Sequence, residues 1–127
     1  MLADGFYEWR KEGTKKVPMR IVLKSRDPFG FAGLWDEWTD RATGQPVRSC
    51  TIITTEPNDM MRSIHNRMPV IFPPDAQDKW MEPIQQDTSK LVSILSSFNS
   101  DLKEVHEVSK AVNSPKYDDL QCITPVS

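Results

Sequence analysis

Gly5-Phe6-Tyr7-Glu8-Trp9 sets three aromatic rings around one carboxylate close to the start of the chain, in residue types that favour extended backbone. Lys11-Glu12-Gly13-Thr14-Lys15-Lys16 then reads as a polar turn, and Val17-Pro18-Met19-Arg20-Ile21-Val22-Leu23-Lys24 as the return strand of a hairpin. Strand alternation sends Phe6 and Glu8 to one face and Tyr7 and Trp9 to the other. An aromatic strand this close to Met1 has no lead-in and few obvious neighbours, which points to a missing piece before it.

Beyond the hairpin, Asp27-Pro28 breaks the second strand, and residues 29–35 read as a further strand with glycines where another backbone or ring comes close. Residues 40–46 form a loop. Val47–Thr54 follows as a β-branched strand of buried character. Thr55-Glu56-Pro57-Asn58 resembles a helix start, with Thr55 as the cap and a helix running to about His65. Met68–Phe72 is a short strand stopped by Pro73-Pro74. Asp75 is expected to cap a short helix carrying Trp80 and Met81, and Asp87 or Thr88 a second one with Leu91, Val92, Ile94 and Leu95 on its apolar face. Leu102–Ser109 reads as a late strand, and residues 112–127 as an irregular tail, frayed at its end. Strands dominate the first half and short helices the second, without βαβ alternation, so the fold class is α+β.

The 127 residues suit one hydrophobic core, and no composition break divides them. Residues 1–127 are therefore read as one domain, strand-rich over 1–72 and carrying helices, a late strand and the tail over 73–127. A formal charge of -2 excludes a globally basic nucleic-acid binder. The charge is uneven, with 11 basic against 9 acidic residues in 1–70 and 5 against 9 in 71–127. An anionic partner should meet the first half. No apolar run approaches the ~20 residues that span a bilayer, so no membrane partner is expected. The first residues do not resemble a signal peptide. Cys50 and Cys122 are far apart and lack neighbouring histidines, which suits a reducing cytoplasm and makes no zinc site.

Glu8 is the first candidate for chemistry. A carboxylate among rings loses hydration, which raises its pKa toward the range useful for proton transfer. The competing reading is an edge-strand Glu facing solvent or pairing with Arg10, and the local pattern alone favours it. His65 is either an acid/base group or a hydrogen-bonded helix cap, and Pro69 forces Met68 out of helical geometry, fixing how the chain leaves the helix. Arg10, Lys11, Lys15, Lys16, Arg20, Lys24 and Arg26, interleaved with Trp9 and followed by Trp35 and Trp38, could track phosphates beside stacking rings; solvated surface is the commoner fate of such residues. A Glu/His hydrolase would need a nucleophile, and none is evident.

Four blocks occur in order at compact spacing: Ala3-Asp4-Gly5-Phe6-Tyr7-Glu8-Trp9, Phe31-Ala32-Gly33-Leu34-Trp35, Thr51-Ile52-Ile53-Thr54-Thr55 and Ile64-His65-Asn66-Arg67-Met68-Pro69-Val70. Together with Val112-Asn113-Ser114-Pro115, the set resembles the SRAP (SOS response-associated peptidase) family, over about the latter three-fifths of its domain. The resemblance implies a strand-rich β-barrel or sandwich with short flanking helices, lacking its N-terminal part. It implies a protein that binds single-stranded DNA and crosslinks to abasic sites in the DNA damage response. In that family the amine and thiol of an N-terminal cysteine close a thiazolidine on the abasic sugar. By resemblance Glu8 would shuttle protons during cysteine attack and His65 would assist sugar ring opening. Thr54 would lie near the site, Trp9 would pack beside DNA and Arg67 would contact phosphate. No cofactor or metal is implied, and a cytosolic or nucleoid monomer is expected.

The chain departs from the family pattern where it matters most. It has no counterpart of the N-terminal cysteine, of the asparagine that orients the sugar, or of the arginine motif that grips DNA. Cys50 and Cys122 cannot substitute, because their nitrogens are amides. Asn66 also stands where many relatives carry an acid. The expectation is a half-site, inactive alone and marginally folded, that works with an N-terminal segment supplied elsewhere. The alternative is a non-enzymatic remnant or a weak single-strand-binding module.

Overall fold

The computed structural model describes residues 1–83, 87–96 and 103–126. Its elements are β1 (Leu2–Ala3), β2 (Phe6–Glu12), β3 (Lys15–Leu23), β4 (Phe29–Phe31), β5 (Gly33–Thr39), β6 (Pro46–Ile52), β7 (Thr54–Thr55), α1 (Asp59–Arg62), β8 (Met68–Pro69), β9 (Ile71–Phe72), α2 (Pro74–Met81), α3 (Thr88–Ser93) and β10 (Lys103–Glu107). Two 3-10 turns, Lys110–Asn113 and Leu120–Cys122, follow. The architecture is α+β and strand-rich, with short helices on small antiparallel sheets.

The expected hairpin forms: β2 pairs antiparallel with β3 from Phe6 opposite Ile21 to Glu12 opposite Lys15. Gly13 takes φ +61 in the two-residue turn, the left-handed conformation that a hairpin turn with glycine first requires. β10 adds to the other side of β3, so β3 is central and β2 is an edge. A proline in a central strand normally removes a ladder bond. Pro18 sits just past the end of the β10 ladder, where its carbonyl accepts from Val108 N–H at 3.1 Å. A strand residue's N–H and C=O point to the same side, so the missing donor costs no bond to β2.

This sheet is covered on both faces. Val17, Met19 and Ile21 on one face pack with Met61, Ile64 and Met68, with Phe6, Met60 and Val105 at the margins. The opposite face carries Tyr7, Trp9 and His106, and the C-terminal tail closes it. Tyr7 Oη donates to the Cys122 carbonyl at 3.0 Å, Trp9 Nε1 to Asn113 Oδ1 at 2.7 Å, and His106 Nε2 lies 3.2 Å from the Ile123 carbonyl. The tail is irregular as expected but not frayed: Val108 bridges to Pro125, and Cys122 is buried. Side-chain hydrogen bonds to the sheet hold it where propensity alone would leave it loose.

The stretch read as one strand over residues 29–35 is two, β4 and β5, broken at Ala32. β6 and β7 break likewise at Ile53, and β8 and β9 at Val70. The three breaks meet. Ala32 N–H donates to Val70 O, Val70 N–H to Ile53 O and Ile53 N–H to Ala32 O, each at 2.9 Å. Around this closed ring the segments exchange partners: β4 pairs with β9, β5 with β6 and β7 with β8. Ala32 and Val70 are fully buried and pack with Phe72 and with Ala76 of α2, and Trp80 of α2 with Ile94 and Leu95 just after α3 close over them.

The helix boundaries also differ from expectation. α1 is one turn, capped by Asn58, whose Oδ1 accepts from Met61 N–H at 3.0 Å. Thr55 instead pairs with Met68. Pro57 disfavours helical geometry at Glu56, so the proline that resembled a first-turn residue delays the helix. α2 starts at Pro74 behind Pro73, with Asp75 in its first turn and no side-chain cap. Asp87 caps α3 as expected, while Val92 on that helix is exposed. The late strand runs Lys103–Glu107; Leu102, its expected start, lies outside the described residues.

Gly33 stands beside the ring of three bonds, and a Cβ there would meet the Thr51 carbonyl oxygen at 2.8 Å. The obstacle is backbone, so Gly33→Ala is expected to lower stability by about 1–3 kcal/mol. Urea denaturation followed by circular dichroism reads this directly; an unchanged midpoint would contradict the close approach.

Candidate functional site

Glu8 projects from the edge strand β2 on the face that α1 covers. Phe6 and Glu8 lie opposite Ile21 and Met19, and α1 rests on that apolar surface through Met60, Met61 and Ile64. Burying Ile64 brings His65, the next residue, to the rim of the same contact. Glu8 is half-buried and His65 exposed. Loss of hydration raises the Glu8 pKa above its ordinary 4.5, and the neighbouring His65 opposes the rise. The two residues therefore share one electrostatic environment although 57 positions separate them. The local alternative for Glu8, a pair with Arg10, does not form: Arg10 binds Glu12 at 2.6 Å.

The His65 ring is held by its own loop. Its Nδ1 lies 3.2 Å from Arg67 N and 3.1 Å from Arg67 O, so the tautomer decides whether it accepts from the amide or donates to the carbonyl. The His65 N–H closes the turn onto Met61 O at 2.9 Å. Nδ1 thus faces the loop, which leaves Nε2 as the ring nitrogen that the loop does not engage.

Thr54 and Arg67 form a second cluster. Arg67 Nη2 donates to the Thr54 carbonyl at 2.6 Å and to Thr54 Oγ1 at 3.1 Å, with Nε 3.3 Å from the same hydroxyl. Both side chains are exposed, and the β7–β8 pair sets them next to the His65 loop. These contacts use Nε and one face of the guanidinium fork, which has five N–H donors in all.

Trp9 stands apart. Its side chain leaves β2 on the face opposite Glu8, where its indole N–H is bound to Asn113. The sequence thus foretold the alternation, and the structure turns Trp9 toward the tail.

The expected phosphate track is interrupted. Arg20 is buried and paired with Asp4 at 3.2 Å, Arg26 pairs with Glu104 at 2.8 Å, and Arg10 with Glu12. Lys11, Lys15 and Lys16 are exposed around the β2–β3 turn. Sequence reading also passed over Lys103, which is buried at the far corner of the same sheet with its amine pushed down to about 8 by that burial. A lysine that opens a strand carries no local sign of burial. Among the described residues no group of three or more His, Cys, Asp or Glu could hold a metal ion, and no helix is long and apolar enough to cross a membrane.

The Glu8 environment has a thermodynamic consequence. A folded-state pKa above the unfolded value means that protonated Glu8 favours folding, a contribution present below pH 4.5 and lost as pH rises through the folded pKa. Glu8→Gln should therefore melt higher than the parent at pH 7, with the gap closing below pH 4.5. Paired thermal melts across that range test it, and a gap that widens in acid would mean the carboxylate is stabilised by folding.

The SOS response associated peptidase (SRAP) family model matches residues 1–115. The chain is 45% identical over 122 residues to the abasic site processing protein YoqW of Bacillus subtilis, covering 95% of this chain and 54% of that protein. It is 30% identical over 145 residues to the abasic site processing protein HMCES of Gallus gallus, covering 99% of this chain and 43% of the relative. A crystal structure of a Bacteroides thetaiotaomicron protein superposes with a TM-score of 0.91 at 27% identity, covering 100% of this chain and 56% of that one. The chain thus spans about half the length of the curated relatives it matches.

Proposed function

The chain belongs to the SRAP family, and from that membership we propose that it supplies the Glu8–His65 half of a centre that captures abasic sites in single-stranded DNA. The observation that carries this reading is the packing of β2 against α1, which half-buries Glu8 on the face where α1 leads into the His65 loop. Burial raises the Glu8 pKa, and His65 opposes the rise. A carboxyl group whose pKa is raised by burial gives up and takes back a proton at a higher pH than an exposed one does.

In this reading the nucleophile is an N-terminal cysteine from the part of the domain that this sequence does not span. Its amine adds to the aldehyde carbon of the opened abasic sugar, and loss of water leaves an imine. The thiol sulfur then adds to the imine carbon, and its proton passes to nitrogen as the thiazolidine closes. Glu8 in its acid form protonates the departing hydroxyl, and as carboxylate it takes a proton back from the attacking cysteine. His65, held through Nδ1 by its own loop, assists ring opening at the deoxyribose through Nε2. Arg67, braced on Thr54, offers its remaining donors to a phosphate. Lys11, Lys15 and Lys16 add a salt-sensitive attraction for the strand. Trp9 serves the site from behind, by fixing the edge strand to the tail.

A second reading, a single-strand-binding module without chemistry, rests on the same exposed lysines. The two separate in one experiment. Single-stranded DNA with one abasic site is mixed with the chain, alone and with a relative's complementary segment bearing the N-terminal cysteine. The expected outcome is a heat-stable adduct only with that segment, formed on the order of 100-fold more slowly by Glu8→Gln or His65→Ala. An adduct from the chain alone, or full rates from both variants, would overturn the assignment. Salt-sensitive binding with no adduct in any mixture would leave the binding module.

A further inference from the structure

Arg10 stands midway between two carboxylates. Residues two apart in a strand share a face, so Glu8, Arg10 and Glu12 leave β2 on one side, at steps of about 7 Å. From its position Arg10 has a carboxylate as its neighbour in each direction. The guanidinium goes one way only. Its Nη2 donates to Glu12 Oε1 at 2.6 Å and its Nε to the same oxygen at 3.0 Å. With side chains 34% and 50% exposed, such a pair adds little to stability. What it decides is where a permanent charge sits.

The positions that adjoin Glu8 on this sheet face are Phe6, Arg10, Met19, Val17 and Ile21, and only Arg10 among them is charged. The other charges on this side are placed elsewhere. Lys15 lies opposite Glu12 at the turn end, and Glu107 shares the Glu8 row but stands on the far side of Met19. On α1, Arg62 lies 3.8 Å from Asp59, and beyond the His65 loop Arg67 is turned onto Thr54. His65 is the group that acts on Glu8, opposing the rise that burial causes.

We propose that Glu12 is a positioning residue for the proton-transfer centre: it holds the Arg10 guanidinium at the turn end of β2 and so keeps a permanent positive charge off Glu8. The inference rests on the reading of Glu8 given above and adds to it a residue that acts only through Arg10. A guanidinium beside a carboxyl favours the ionised form, and solvent screens that influence less at a half-buried group than at an exposed one. Paired with Arg10, Glu8 would stay a carboxylate, able to take a proton but poorly able to supply one. Glu12 holds Arg10 because it stands in water, where pairing strips less hydration from the two charges than it would at half-buried Glu8.

The test is a carboxyl titration of Glu8 by carbon-13 NMR in the intact 127-residue chain, with its resonance identified by its loss in Glu8→Gln. Glu12→Gln should move the Glu8 midpoint down, as the freed guanidinium turns to the remaining carboxylate. Arg10→Gln alone should leave the midpoint at or slightly above the parent's. Adding Arg10→Gln to Glu12→Gln should bring it most of the way back. Both side chains are partly exposed, so the three variants should keep the parent's circular dichroism. An unmoved midpoint in Glu12→Gln would overturn the inference. So would an equal fall with and without Arg10, which would mean that only a distant negative charge had been lost. The titration needs neither DNA nor a second segment. Its failure would therefore count against Glu12 alone, and a missing adduct against the chemistry alone.

Discussion

Three backbone hydrogen bonds in a closed ring, joining Ala32, Val70 and Ile53, decide how the molecule is laid out. Antiparallel strands normally keep one partner along their length. Here three extended segments each change partner at the same point, and the ring satisfies the donors and acceptors that the exchange would otherwise strand in the interior. Ala32 and Val70 are fully buried, so an unmet bond there would cost about 1–3 kcal/mol per group. The exchange sends β9 to β4 beneath the aromatic cluster of Phe29 and Phe31, sends β5 and β6 outward as an arm, and sends β7 and β8 toward the site. Thr54, Arg67 and the loop holding His65 are all placed by this one junction.

The second organising feature is the use of both faces of β2. Phe6 and Glu8 meet α1, while Tyr7 and Trp9 reach the tail through bonds to residues 115 and 104 positions away. An edge strand secured on one face only could slide or fray at its free side. Clasping it from behind fixes the height of Glu8 relative to His65, a relation that packing on the front alone would leave to a few flexible methionines. The tail, distant in sequence and irregular in shape, therefore bears on the site's geometry without touching its chemistry.

Much of this was legible in the residues. The hairpin, its turn, the face assignment of Glu8 and the late strand all follow from period-two patterning, and the ordered blocks led to the family. The strand breaks at Ala32, Ile53 and Val70 were not legible. A partner exchange leaves each segment extended on both sides, so local pattern runs straight through it. Thr55 misled because a hydroxyl before an acid and a proline looks like a cap, while the pairing of Thr55 with Met68 is a tertiary fact. The basic run misled similarly: charge is visible in sequence, but the burial of Arg20 against Asp4 and the pairing of Arg26 with Glu104 are not. For Glu8 the local odds favoured a solvent-facing residue, and its partial burial comes from tertiary packing that no local pattern announces.

That desolvation is incomplete, and the incompleteness is informative. Glu8 stands on an open edge, half-buried, with water on one side and His65 at the rim. Whatever is laid across this edge, whether polypeptide or a nucleotide, removes part of the remaining water. Two terms then strengthen together: burial pushes the carboxyl further toward its neutral form, and the lower dielectric sharpens the opposing influence of His65. They act in opposite directions on the Glu8 pKa, so closure moves the group less than burial alone would. A carboxyl group placed in this way responds to being covered: burial raises its pKa further, while His65 continues to oppose the rise.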